Sequence, residues 1–248
     1  ATSGSFTGDL TVDTNTLVVD AANNRVGLGT AAPAKKLTVD GDADFNVALR
    51  SASTRTGIAF YTPGTGSLGN PAGSMLLLSD NTFRMGTAAV YGLIMNQSGH
   101  VTTPSQPDFW TDKTNGSQTI NHGTKITFNG IRRNNGNHYS TSNSRFTAPV
   151  TGRYLFCFNA VLNNEGSNNV RVAEMGFLKN NAHRYGFSSL AQENWNASNE
   201  HPAVNTTDII YLDTNDYVEV YTFSHWDSGG GTLAVRSGSA SFSGYFLG

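Results

Sequence analysis

The chain has 248 residues, of which 38% are hydrophobic and 14% charged, with a formal net charge of -2 and a single cysteine. A chain so weakly charged, with no basic stripe, has no electrostatic means of gripping nucleic acid or an anionic membrane surface, and no apolar run approaches the roughly 20 residues that span a bilayer. Cys157 by itself excludes an intrachain disulfide, the N-terminus lacks the charged and apolar regions of a signal peptide, and abundant Gly, Ser, Thr and Asn starve helices while suiting strands joined by turns.

Residues 1–45 contain the tetrapeptide LTVD twice, at Leu10–Asp13 and Leu37–Asp40. Short apolar pairs between Asn, Asp and Gly turns predict brief strands that cannot bury a core alone, so association with other chains must complete them. Residues 46–106 read as an irregular, β-rich neck. Within it Gly64-Thr65-Gly66-Ser67-Leu68-Gly69 spells a dinucleotide fingerprint, yet Pro71 and Gly73 stand where the required helix would begin, so a loop is expected. Asp40-Gly41-Asp42-Ala43-Asp44 opens like a calcium loop. Phe45 in the glycine position and Ser51 in that of the bidentate acid exclude an EF-hand. Pro104 and Pro107 bias their neighbours toward extended backbone and mark a boundary, beyond which residues 107–248 form a head.

In that head apolar runs recur at Lys125–Phe128, Arg153–Leu162, Val170–Leu178, Asp208–Leu212, Tyr217–Phe223, Leu233–Val235 and Ser241–Leu247, nearly all separated by turn residues. Many short strands at such spacing predict a sandwich or jelly roll. In Arg153–Leu162 alternation puts Tyr154, Phe156, Phe158 and Ala160 on one face and Leu155, Cys157 and Val161 on the other. Both faces are apolar, so this strand is expected to be covered on both sides at the centre of the head, with Cys157 an inert core residue.

Polar loops are expected at Ile131–His138, Asn163–Asn169, Asn180–Pro202 and His225–Gly231. They carry Trp195, Trp226, Tyr185, His183 and Arg184, with the adjacent pair Arg132 and Arg133 in the first. Aromatic faces amid amides suit sugar recognition, because a ring covers the apolar face of a pyranose while amides bond its hydroxyls. These seven are the candidate ligand-binding residues. The alternative is that Trp195 and Trp226 pin long loops or fill a subunit interface. The histidines lack the short paired spacing of a zinc site, and no Gly-x-Ser-x-Gly elbow is present, so no catalytic residue, metal site or cofactor is assigned and the chain reads as a non-enzyme.

Two resemblances sharpen these expectations. Arg25-Val26-Gly27-Leu28-Gly29-Thr30, Pro33 and Leu37-Thr38-Val39-Asp40-Gly41 resemble the linker-like repeat in shafts of bacteriophage tail fibres. Phe128, Asn134, Tyr139, Phe146, Gly152, Tyr154, Phe156 and Phe158 have the spacing of the signature of the complement C1q globular head, and Asp208–Leu212, Asp216–Val220 and Phe242–Leu247 are similar to its late strands. The second resemblance implies an all-β, ten-stranded jelly roll of the C1q and tumour-necrosis-factor type, assembled as a homotrimer. Some members hold calcium near the trimer axis, which here would fall to Asp213, Asp216 or Asp227; the alternative is ordinary turn chemistry. Joined to a fibre-like stalk, such a head implies the receptor-binding tip of a phage or viral tail fibre. It would meet a bacterial surface glycan or protein, and other virion tail proteins through its N-terminal segment, without binding nucleic acid or inserting into a membrane. A structural fibre with a trimerising head is the alternative. A polysaccharide depolymerase is a remoter one, since the chain is too short to add a catalytic β-helix.

Overall fold

The computed structural model describes residues 8–14, 16–40, 55–60, 72–87, 90–164, 170–191, 201–227 and 233–248, and no helix occurs among them. The chain divides into two compact units, Ala1–Phe83 and Arg84–Gly248. In the first, Leu10–Val12 (β1), Leu17–Asp20 (β2), Arg25–Leu28 (β3) and Leu37–Val39 (β4) form a sheet in that order, antiparallel except for the parallel β3–β4 pair. Both LTVD copies thus supply strands. Val18 is the only buried large hydrophobic among the described residues of this sheet, while Val12, Leu28 and Leu37 stay exposed. Arg55–Phe60 (β5) and Gly73–Leu78 (β6) pair antiparallel, and Phe83–Thr87 (β7) contains the boundary between the units. The fingerprint glycines and most of the abortive calcium loop lie outside the described residues.

The second unit carries Val90–Met95 (β8), paired with Val101–Thr102 (β9), and then the head. The head strands are Asp108–Asp112 (β10), Gln118–Ile120 (β11), Gly130–Asn135 (β12), Tyr139–Ser140 (β13), Arg145–Thr147 (β14), Gly152–Asn164 (β15), Val170–Lys179 (β16), His183–Ala191 (β17), Ala203–Leu212 (β18), Tyr217–Asp227 (β19) and Leu233–Phe246 (β20). Among the described residues they build two sheets. The front sheet runs β12-β10-β20-β15-β18, with β11 also on β20; the back sheet runs β13-β14-β19-β16-β17.

Aromatic rings fill the space between the sheets. Phe109 of the front sheet stacks on Tyr139 and Phe146 of the back sheet, with centroids 4.9 and 5.0 Å apart, and meets Phe242 edge-on at 4.8 Å. Phe156 reaches Phe177 at 5.9 Å. Tyr154, Phe156, Phe158 and Ala160 all face this core, as alternation predicts. Gly244 lies opposite Phe109 in the sheet, and a Cβ there would come within 2.7 Å of the Phe156 ring. Asn134 closes the turn between β12 and β13 by donating to the Tyr139 carbonyl (2.8 Å) and accepting from its amide (3.0 Å).

Several boundaries differ from expectation for physical reasons. Lys125–Phe128 is not a strand: Lys125 makes one isolated bridge to Tyr221, and the segment leans on β19 through the Ile126 amide. The two runs at Leu233–Val235 and Ser241–Leu247 belong to one 14-residue strand, because the polar stretch between them is carried through a register shift opposite β15. The loops expected around Arg132 and His183 contain β12 and β17. Both lie at sheet edges, where an outward side tolerates polar residues and hides the alternation by which strands are recognised.

The ring cluster is the test of this core. Phe109→Ala removes the stack that joins the sheets and should cost about 3–5 kcal/mol in urea unfolding of the head, whereas Phe187→Ala, at an exposed position, should change stability by less than about 0.5 kcal/mol.

Candidate functional site

The outer face of the front sheet is the first unusual surface. Register places Trp110, Ser243, Cys157 and Thr207 in one row across β10, β20, β15 and β18, with Tyr245, Leu155 and Ile209 in the next and Tyr211 beyond. Trp110, Tyr245, Ile209 and Tyr211 are 52%, 44%, 54% and 55% exposed. The strand expected to be covered on both sides is therefore covered on one. Its other face, with Leu155, Cys157 and Val161, is only half-buried, and Cys157 is an outer-face thiol that accepts from the Thr207 hydroxyl at 3.6 Å, not a core residue. A hollow of about 300 Å³ on this face is lined by Arg133, Leu155, Cys157 and Tyr245 among others.

Arg132 and Arg133 are strand residues already engaged with carboxylates. Arg132 Nε donates to Asp112 Oδ2 at 2.6 Å, and Arg133 grips Asp108 through Nε and through Nη2, the latter at 2.9 Å. The Asp108 carboxylate accordingly pushes the Arg133 pKa further up. Both side chains nevertheless stay largely exposed, and Arg133 lines the hollow on the front face.

His183, Arg184 and Tyr185 lie on β17, not in a loop, and alternate. Tyr185 pairs with the core residue Phe177 and packs inward; Arg184 pairs with Leu178 and points outward. The structure thus separates Tyr185 from Arg184, while His183 is exposed at the start of the strand. Trp226, expected in a loop, belongs to β19 opposite Val172, and Trp195 lies outside the described residues.

On the outer face of the back sheet Arg184 lies over the Phe223 ring at 4.5 Å and borders a second depression of about 300 Å³, together with His122, Leu178, Asn181 and Tyr221. Two backbone bonds dock the His122 loop beside β19: Gly123 N to Thr222 O at 2.8 Å and Thr222 N to Thr124 O at 2.9 Å. The β16–β17 turn spans Asn180 to Ala182 and is closed by Ala182 N donating to Lys179 O at 3.0 Å; Asn180 and Asn181 are both left-handed (φ 52° and 55°), a conformation asparagine tolerates. Nearby Glu219 has 1% of its side chain exposed and is held between Lys125 (3.1 Å) and Arg145 (3.0 Å), the latter stacked on Tyr217 at 3.6 Å. Sequence reasoning named Arg184 but missed His122, Asn181, Tyr221 and Phe223. Their convergence depends on strand pairing between segments roughly 40 to 100 residues apart, for which a linear pattern carries no signal.

Of the carboxylates considered for calcium, Asp216 is engaged in turn bonding. Asp216 accepts from Lys179 Nζ (2.7 Å), Asn180 Nδ2 (2.6 Å) and the Asp213 amide (2.9 Å), so both its oxygens are in use. Asp227 is placed only by its backbone, and among the described residues no three His, Cys, Asp or Glu side chains converge on a metal position.

The C1q domain family model matches residues 109–247, the whole of the two-sheet head from Phe109 onward. The chain belongs to the C1q domain family. C1q domains are commonly trimeric and take part in binding. Among solved structures the chain is similar to the globular domain of zebrafish complement 1qA protein, at 18% identity over 58% of this chain and 98% of that one, with a TM-score of 0.41. It is also similar to Eiger TNF from S. frugiperda, at 9% identity over 58% and 94%, with a TM-score of 0.43. No curated protein matches the sequence. The C1q signature residues have structural tasks here: Phe128, Tyr139, Phe146, Tyr154, Phe156 and Phe158 fill the core, and Asn134 closes a turn.

Asp216 gives a pH test within this C1q domain. Burial pushes its carboxyl up, but the Lys179 and Asn180 side chains and the Asp213 amide outweigh that and bring its pKa down from 3.8 to about 2. A group depressed on folding stabilises the fold above its unfolded pKa and loses that contribution as pH falls through the folded value. Asp216→Asn should lower stability by about 1–2 kcal/mol at pH 7. Thermal melts of both proteins should converge as pH falls from 3.8 toward 2.

Proposed function

We propose that the protein is a homotrimeric adhesin, the receptor-binding tip of a phage or viral tail fibre that attaches to a glycan or protein on a bacterial surface without chemical turnover. The observation that carries the trimer is the front-sheet face. Contiguous apolar surface of this kind on one chain marks a contact between chains, and Trp and Tyr are the residues enriched at the cores of such contacts. The N-terminal sheet supports the same reading, since one buried Val18 among the described residues cannot hold four strands together while Val12, Leu28 and Leu37 face outward. Two regions of one chain that each lack a partner for apolar surface are both satisfied by cyclic association. The resemblance of residues 25–41 to fibre-shaft repeats supports placement on a virion, outside the cell when acting. Three heads per fibre would turn weak single contacts into avidity.

Light scattering of the full chain should give three times 26.5 kDa. The double variant Ile209→Lys with Tyr211→Lys places charge on the front face and should shift the mass toward one chain, and a monomeric parent protein would overturn the assembly. Labelled full-length protein mixed with a panel of bacterial strains should adsorb to some and not others; adsorption to none would remove the adhesin reading.

A further inference from the structure

We infer that the back-sheet depression beside Arg184 is a subsite for a pyranose bearing a compact oxyanion, a carboxylate or a phosphate. This rests on the binding role proposed above and adds the ligand class and its location. The position is suitable because the depression opens on the outer face of the back sheet, whereas the apolar face assigned to chain–chain contact belongs to the front sheet. A head that trimerises through one sheet keeps the other for a ligand.

Charge selects the class. Among the described residues no carboxylate pairs with Arg184, unlike Lys125, Arg132, Arg133, Arg145 and Lys179. No acidic side chain lines the depression. Of the acidic groups on the same face, Glu219 is already shared by two cations, and Glu174 lies along β16 beyond Gly176. Among the described residues the face around the depression is therefore net positive. Arg184 is also held in place: its guanidinium rests on the Phe223 ring, which limits its rotamers and leaves the planar fork to meet an oxyanion.

Shape and polarity point to a sugar. The half-buried Tyr221 ring, backed by the buried Leu178 and Phe223, offers an apolar surface for the C–H face of a pyranose, and His122 and Asn181 at the rim supply groups for its hydroxyls. The two turn asparagines differ in use. Asn180 is consumed, its amide donating to Asp216 and its carbonyl accepting from the Tyr217 amide at 2.9 Å. Asn181 is exposed at the depression, in a turn whose geometry Asn180 fixes. Gly176 keeps β16 and β17 close, since a Cβ there would meet the Gly186 carbonyl at 2.5 Å. A volume of about 300 Å³ accommodates one ring, not an extended chain.

The test is saturation-transfer NMR of the full-length protein with glucuronate, glucose 6-phosphate and glucose as separate probes. At least one anionic sugar should bind, and glucose should bind at least about tenfold more weakly. The two anion arms distinguish carboxylate from phosphate. Arg184→Gln should lower the anionic sugar to the level of glucose, while Arg236→Gln on β20 should leave it unchanged, with matched melting curves confirming that both variants fold. Equal binding of glucose, binding that survives Arg184→Gln, or no binding of either anion overturns the subsite. Selective adsorption to bacteria together with no anionic-sugar binding would discard this ligand class and leave the adhesin standing; the reverse pattern would discard the adhesin and keep the subsite.

Discussion

Everything in the head depends on one ring being shared between two sheets. Phe109 comes from the strand that opens the head, and its partners Tyr139 and Phe146 come from a short hairpin in the opposite sheet. Stacked and edge-on rings contribute beyond the area they bury, and their geometry is specific. They fix the spacing and rotation of the sheets as well as holding them together. Gly244 matters for the same reason: the close approach of Phe109 and Phe156 needs a residue without a side chain at that point. Once the inward faces are committed to this cluster, alternation dictates what the outward faces present.

Those outward faces have opposite characters. The front sheet shows aromatic and aliphatic side chains with two arginines neutralised in place by Asp108 and Asp112. The back sheet shows Glu219 clamped by two cations and, in the same row, Arg184, which has no carboxylate partner among the described residues. Removing one partner from a buried ion pair is costly because a charge is left without compensation, so the Glu219 cluster also opposes any slippage of β19 against its neighbours. The proposed division of labour puts assembly on one side and recognition on the other, neither disturbing the rings between them.

The parts of this architecture legible in the sequence are those dominated by local repetition. The alternation in Arg153–Leu162 gave the direction of Tyr154, Phe156, Phe158 and Ala160 on β15, and the spaced Phe, Tyr and Asn residues identified the head because each has a task that few other residues can perform. What alternation could not reveal was whether a second apolar face is covered by the same chain or by another, and Cys157 was misplaced for that reason. Edge strands β12 and β17 were read as loops because their polar outward sides mask the period of two. Arg184 was legible as a candidate; the floor beneath it was not, since Leu178, Tyr221 and Phe223 reach it through pairing between distant segments.

The position of β20 has a consequence for how the protein is made. It lies between β10 and β15 in the front sheet and also pairs with β11, so three strands far upstream in sequence wait for the same late segment. Pairings of such large sequence separation are slow to form and leave strand edges open meanwhile. During translation the front sheet cannot close until Leu233–Phe246 has left the ribosome, whatever follows it in the chain. Its apolar outer face then becomes complete only at that moment, which ties the proposed association between chains to finished heads and keeps partly made ones out of it.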